Sequence, residues 1–227
     1  MREFNNKGTM DLNYAKERNS KRSSKYRLWR RTIEIISALE EFAPKPIKDI
    51  IDLGTADGRM LYSIKEKFPE SRCIGVEFNQ ELVNFGKSHF PEIEIVQGDI
   101  QVLDFSDKSF EVALLTAVIE HVPVPEKVVS EAYRILKPGG ILVLTSPDPF
   151  WERLATKVGH LKDGQHNRVM TISQLSNLIK QNGFTVLKTK KFMLSPIGMP
   201  FEFVVEKWMR KLNLNFMLAN QLVIGRC

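Results

Sequence analysis

The chain has 227 residues, 43% hydrophobic and 26% charged, with 13 glycines and 11 prolines, which is the composition of one folded domain and excludes wholesale disorder, collagen-like repeats and Pro-rich low complexity. It contains no run of 18 apolar residues, its opening MREFNNKGTMDLNY has no signal-peptide core, and its two cysteines, Cys73 and Cys227, form no CxxC or Cys/His cluster; these features argue against a membrane span, a disulfide framework and a metal site, and fit a reducing cytoplasm. The net charge of +6 is all N-terminal: residues 1–48 hold 12 Lys and Arg against 6 Asp and Glu, and the remainder is balanced at 21 each.

Residues 1–25 read as a basic tail. Lys16, Arg18, Lys21, Arg22 and Lys25, continuing into Arg27, Arg30 and Arg31, are interleaved with Tyr14, Tyr26 and Trp29. From Tyr26 the apolar positions Trp29, Ile33, Ile36 and Leu39 recur at helical spacing and predict a helix over 26–42. Such a stretch suits an acidic membrane surface or another polyanion. Its alternative is a solvated tail followed by a helix whose apolar stripe joins the core.

A single domain is predicted over 26–227. Short β-rich runs at 49–53, 73–77, 93–97, 112–116 and 141–145 alternate with helix-length segments at 59–67, 80–88 and 126–136. Parallel strands need crossover connections, so this cadence predicts an α/β, doubly wound, mostly parallel sheet with helices on both faces. Runs such as VALL (112–115) and ILVL (141–144) fit strands buried on both sides. Residues 147–169 lack periodicity and read as a loop or lid. Thr171 is placed as the N-cap of a helix that ends at Gly183. A strand over 184–190, a Pro-broken stretch at 195–200, a helical segment over 201–212 and a last strand over 221–226 complete the chain. Stretches 147–170 and 191–215 are the expected lid and acceptor-site insertions, with Phe150, Trp151, Phe192, Met193, Met199 and Phe201 either walling an apolar pocket or packing the lid.

Three strand ends in succession carry chemistry. The first ends in DLGTADG, from Asp52 through Gly54, Thr55, Ala56 and Asp57 to Gly58; glycine there permits positive φ and close approach to a ligand, and the following helix offers N–H groups to an anion. The second ends in GVE, placing Glu77 about 20 residues past the turn, where a carboxylate accepts hydrogen bonds from ribose hydroxyls. The third leads to QGD, where Asp99 is placed to meet an adenine amino group, with Phe78 and Ile100 flanking the ring. Taken singly, Glu77 reads equally as an exposed strand-end residue and Asp99 as a turn former. Together they face one sheet edge, the edge at which open α/β sheets bind ligands.

DLGTADGRML, GVEFN, QGD, FEVALLTAVIEHV (110–122), RILKPGG (134–140) and ILVLTSP (141–147) together resemble the class I S-adenosylmethionine-dependent methyltransferases, in the type 11-like branch that acts on small molecules and lipids, over about residues 49–184. The resemblance implies a seven-stranded sheet with a C-terminal antiparallel strand, S-adenosyl-L-methionine as cofactor and S-adenosyl-L-homocysteine as product. It implies that Asp52 and the 54–58 turn lie against the methionine portion, with Thr116 and Ala117 lining that side, that Glu77 holds the ribose, and that Asp99 and Ile100 hold the adenine. Ala56 stands where the family has glycine; a negative φ or slight retreat of the backbone is expected to accommodate it.

A sulfonium methyl is already electrophilic, so alignment of the reacting atoms is the main task, and a base is needed only when the acceptor arrives protonated. His121, in IEHV, and His166, which matches a histidine common at this point in the family, are the candidates to serve the acceptor. Against these stand a loop-fixing hydrogen bond for His121 and lid positioning for His166; His89 and His160 read as surface residues. The fourth strand does not end in the Asn/Asp-Pro-Pro-aromatic pattern of enzymes that methylate amino groups of DNA and protein, so DNA is not an expected substrate. The expected reaction is transfer to O or N of a small-molecule or lipid-like acceptor by a cytoplasmic enzyme, with peripheral membrane or polyanion contact through the basic N-terminus and a homodimer admitted. An NAD-dependent oxidoreductase is the alternative, though Gly54-x-x-x-Gly58 lacks the third glycine of GxGxxG. A non-catalytic cofactor-binding partner subunit is another.

Overall fold

The structure, a computed structural model, describes residues 20–157, 169–194 and 197–227. Helix α1 spans Arg22–Phe42, followed by β1 (Asp49–Leu53), α2 (Arg59–Lys67), β2 (Arg72–Glu77), α3 (Gln80–His89), β3 (Glu94–Gln97) and β4 (Phe110–Thr116). Then come α4 (Pro125–Ile135), β5 (Leu136–Pro147), α5 (Pro149–Lys157), α6 (Ile172–Gln181), β6 (Thr185–Phe192), α7 (Glu202–Lys211), a short 3-10 turn (Asn215–Met217) and β7 (Asn220–Arg226).

The seven strands form one sheet in the order β3-β2-β1-β4-β5-β7-β6. Pairs among the first five are parallel, and β7 runs antiparallel between β5 and β6. This is the expected Rossmann-like methyltransferase architecture. The order of the chain reverses between β1 and β4, and that crevice at the carboxyl ends is where such sheets take ligands. Strand alternation divides the core in two. Ile51, Leu53, Ala113 and Leu115 face one side, where α4 and α6 pack through Val129, Ile135, Leu175 and Ile179. Ile50, Val112 and Leu114 face the other, against Ile35 and Leu39 of α1 and Leu61 and Ile64 of α2.

Three expectations are corrected. Residues 22–25, read as tail, form the first turn of α1. Residues 149–157, read as loop, are helical: Pro149 occupies the first helical position and Asp148 caps the start, its Oδ1 accepting from the Phe150 N–H at 3.0 Å. The buried face of α1 only partly coincides with the Trp29–Ile33–Ile36–Leu39 stripe: Leu39 is buried and Ile36 packs against the core, but the face runs through Arg30, Glu34, Ile35 and Ala38 while Trp29 is half exposed. Hydrophobic periodicity does not register buried ion pairs. Arg30, fully buried, meets Glu34 at 2.5 Å and Glu206 at 2.7 Å, and Lys190 reaches Glu34 at 2.6 Å. The tail over residues 1–19 lies outside the described residues.

Candidate active site at the carboxyl edge of the sheet

The turn after β1 is anchored on the neighbouring strand: the N–H groups of Gly54 and Thr55 both donate to the Val76 carbonyl, at 2.8 and 3.0 Å. Two glycines make this packing feasible. Gly54 is at φ +81°, and a Cβ there would lie 2.7 Å from the Val118 side chain; a Cβ on Gly75 would lie 2.5 Å from that of Thr55. Ala56 departs from expectation. Its φ is +54°, a left-handed conformation favouring glycine, so the negative φ is not adopted. Its N–H donates to Glu77 Oε2 at 2.9 Å.

Parallel register sets the strand tips side by side, with Asp52 opposite Gly75 and Leu114, and Glu77 opposite Gln97. The Glu77 carboxylate is oriented by two backbone N–H groups, those of Ala56 and, on Oε1 at 2.9 Å, Asn79. Asp99 lies half-buried past β3, its Oδ1 accepting from the Gln101 N–H at 2.9 Å, so it does form a turn; Ile100 beside it is buried and Phe78 is partly exposed. Asp57, also buried, sits at the start of α2, with Oδ1 3.4 Å from the Arg59 N–H. The helix N-terminus is therefore already approached by a carboxylate of this chain.

Asp52 is the most unusual group on this edge. It is 1% exposed and neither carboxylate oxygen has a hydrogen-bond partner. Burial pushes its pKa up to about 7; the Thr55 hydroxyl, close but outside hydrogen-bond geometry, counters this, and the Glu77 charge adds to it.

A second group of polar side chains, of which the sequence motifs single out only Thr116, gathers at the tips of β4, β5 and β7. Thr116 pairs with Thr145 in register, and Ser146 with Gln221. Buried atoms without a partner here are Thr116 Oγ1, Thr145 Oγ1, Gln221 Oε1 and Glu120 Oε2. Gln221 donates through Nε2 to the carbonyls of Met170 and Pro147, at 2.8 and 2.9 Å. Burial likewise pushes Glu120 up to about 7, countered by its own backbone N–H, by Arg31 and by the Ser146 hydroxyl. Arg31, read from the sequence as part of a basic appendage, donates to Asn220 Oδ1 at 3.3 Å. The signal for Glu120 was present in IEHV, next to the histidine.

Ala117 takes φ +51°, and its N–H donates to the Thr145 carbonyl at 2.8 Å, so the chain turns sharply off β4. His121 follows, half-buried, its N–H donating to the Val118 carbonyl at 2.8 Å. His166 and His160 lie outside the described residues. Of the six apolar residues read as walling a pocket or packing the lid, Phe192 and Met193 are buried, Trp151 is half-buried, and Phe150, Met199 and Phe201 are exposed. Among the described residues no cluster of His, Cys, Asp and Glu is arranged to hold a metal ion, and no helix is long and apolar enough to cross a membrane.

A family model described as a methyltransferase domain matches residues 23–189. A Mycolicibacterium smegmatis protein named as an S-adenosylmethionine-dependent methyltransferase is 26% identical over 63% of this chain and 54% of its own length. A Lactobacillus johnsonii demethylmenaquinone methyltransferase is 29% identical over 62% of this chain and 69% of its own. The chain thus spans about half the length of some curated relatives that it matches, and 34% of a 37.1 kDa protein from a Streptomyces fradiae transposon. In fold it is similar to an S-adenosylmethionine-dependent methyltransferase from Thermotoga maritima, with TM-score 0.65 and 21% identity, covering 88% of this chain and 90% of that one. With this match, this sheet order and this glycine turn, the chain belongs to the methyltransferase-domain family, in its class I, S-adenosylmethionine-dependent form.

Proposed function

We propose that the chain is a methyltransferase that binds S-adenosylmethionine on the carboxyl edge of its sheet and serves an O or N atom of a small-molecule or lipid-like acceptor. The observation that carries this reading is Asp52, a buried carboxylate at the topological switch point with both oxygens unpartnered. A buried charge in that condition calls for a cation or donors from outside the chain, and the methionyl ammonium has that chemistry. Asp52 and the 54–58 turn then hold the methionine portion, with Thr116 and Ala117 beside it. Glu77 takes the ribose hydroxyls, while Asp99, Ile100 and Phe78 take the adenine. When bound, the cofactor supplies an electrophilic methyl group on sulfur.

This chain's own residues supply orientation and a place for a proton. His121 stands just past the tip of β4, where an acceptor hydroxyl or amine can pass it a proton. Glu120 next to it is a positioning residue: its carboxylate, near Ser146 and Arg31, fixes the loop that presents the histidine. The names of relatives guide the choice of acceptors, because they include demethylmenaquinone methyltransferases and a malonyl-[acyl-carrier protein] O-methyltransferase.

Calorimetric titration with S-adenosylhomocysteine is the first test. Micromolar binding that falls at least tenfold in Asp52→Asn and Glu77→Gln is expected, and binding of NAD in its place overturns the reading. Transfer of labelled methyl to quinol, thioester and amine acceptors is the second, with His121→Ala slowing turnover at saturating cofactor. The alternative of a non-catalytic subunit draws on Ala56 at φ +54°; homocysteine-cofactor binding without transfer to any acceptor favours it.

A further inference from the structure

Helix α7 is amphipathic in the inverted sense. Its inward face carries Glu202, Glu206 and Met209, all buried, whereas Phe203, Val204 and Trp208 point outward at 45%, 53% and 59% exposure, with Phe201 before them at 81%. The inward carboxylates are fully engaged. Glu206 meets Arg30 at 2.7 Å and Arg210 at 3.2 Å, and accepts from the Met193 N–H at 2.7 Å; Glu202 accepts from the Leu194 N–H at 2.9 Å and from the Tyr26 hydroxyl. The helix cannot rotate to hide its aromatic side without stranding buried charge. The Arg30 guanidinium also sits 4.1 Å from the Phe203 ring centre, and Trp29 meets that ring edge-on at 6.2 Å, so the outward rings are held in place.

The exposed charges of the segment that carries this apolar face have one sign. Residues 197–216 include two acids, Glu202 and Glu206, both buried, against Lys207, Arg210 and Lys211. The Lys211 ammonium lies 5.3 Å from the Trp208 ring centre. The adjoining concavity, about 570 Å³, lies between Arg22, Lys25, Tyr26 and Trp29 of α1 and residues 197–200.

We propose that the outward face of α7, with Trp29 and the adjoining segment 197–201, docks the protein onto an anionic lipid bilayer. Exposed aromatic and aliphatic side chains enter the headgroup boundary, Lys and Arg stems lie along it with their charges in the phosphate layer, and no exposed carboxylate of residues 197–216 opposes the approach. The inference rests on this surface and not on the methyl-transfer reading.

Full-length protein is to be sedimented with vesicles of phosphatidylcholine alone and with 30% phosphatidylglycerol. Binding to the anionic vesicles at least tenfold stronger than to the neutral ones, and weakened by salt, is expected. The three tryptophans are Trp29, Trp151 and Trp208; a blue shift of their emission on vesicles, diminished in Trp208→Phe, is expected as well. The pair Val204→Ser with Trp208→Ser should cut partitioning tenfold or more, and Lys207→Glu with Lys211→Glu should remove the preference for anionic lipid. Both are to leave circular dichroism and S-adenosylhomocysteine affinity unchanged. Absence of binding to anionic vesicles at low salt overturns the proposal. So does binding that both variants retain, which assigns it to another part of the chain, and so does a Trp208-dependent dimer in sedimentation, which assigns the face to a second copy.

Discussion

A carboxylate buried as Asp52 is ionises in the folded chain only near pH 7, against 3.8 for the ordinary side chain. Folding therefore costs progressively more as pH rises from about 4 to 7, and the cost is constant above that. Asp52→Asn is expected to stabilise the ligand-free protein by up to about 4 kcal/mol at pH 8 and by little at pH 4, read from thermal melts at both values. The same proton is released when an ammonium pairs with Asp52, so cofactor affinity should rise about tenfold per pH step below 7 and level off above it. Ala56 carries backbone strain. Its left-handed φ costs about 1–2 kcal/mol, and glycine brings back about 0.5–1 in chain entropy. Ala56→Gly should thus gain about 0.5–1 kcal/mol in urea unfolding, with its N–H still donating to Glu77. The motif spelled out the turn at Ala56. The sign of φ could not be read there, because it is imposed by the hydrogen bonds of Gly54 and Thr55 to Val76.

At the scale of elements, α1 and α7 are joined through a buried charge pair in addition to the Trp29–Phe203 ring contact. Arg30→Met leaves the Glu206 carboxylate buried beside fewer partners, and a loss of about 3–5 kcal/mol is expected in denaturant unfolding. A double replacement by methionine should recover part of that loss, the remainder reflecting the unpaired Met193 N–H. Local chemistry made α6 legible: Thr171 and Gln174 form a capping box, the Thr171 hydroxyl accepting from the Gln174 N–H at 3.3 Å and its N–H donating to Gln174 Oε1 at 2.9 Å. The Asp148-Pro149 start of α5 carried an equally local signal, obscured because the helix sits in a stretch without a clear apolar period. For α1 the helix was legible and its buried face was not, since the Arg30–Glu34 pair also meets Glu206 of α7 and Lys190 of β6, far away in sequence.

At the scale of the whole molecule, ligand binding should register as global stability. S-adenosylhomocysteine at a hundred times its dissociation constant adds about 2.7 kcal/mol, or about 5–10 °C in Tm for a chain of this size. At the same ligand concentration that shift should fall to about half or less in Asp52→Asn, which differential scanning fluorimetry can check. The sequence by itself determined the parallel sheet, the glycine turn and the row of acids at the strand tips, because continuous apolar runs, turn residues and strand-end carboxylates are local in origin, whereas the reversal of the last strand followed only from the family resemblance. Tertiary structure alone decided that Asp52 lacks partners, that Thr116, Thr145, Glu120 and Gln221 share one buried region, and that α7 turns its aromatic side outward. Each of those depends on which distant groups arrive beside a side chain, and burial and charge pairing are properties of neighbours that a one-dimensional pattern does not contain.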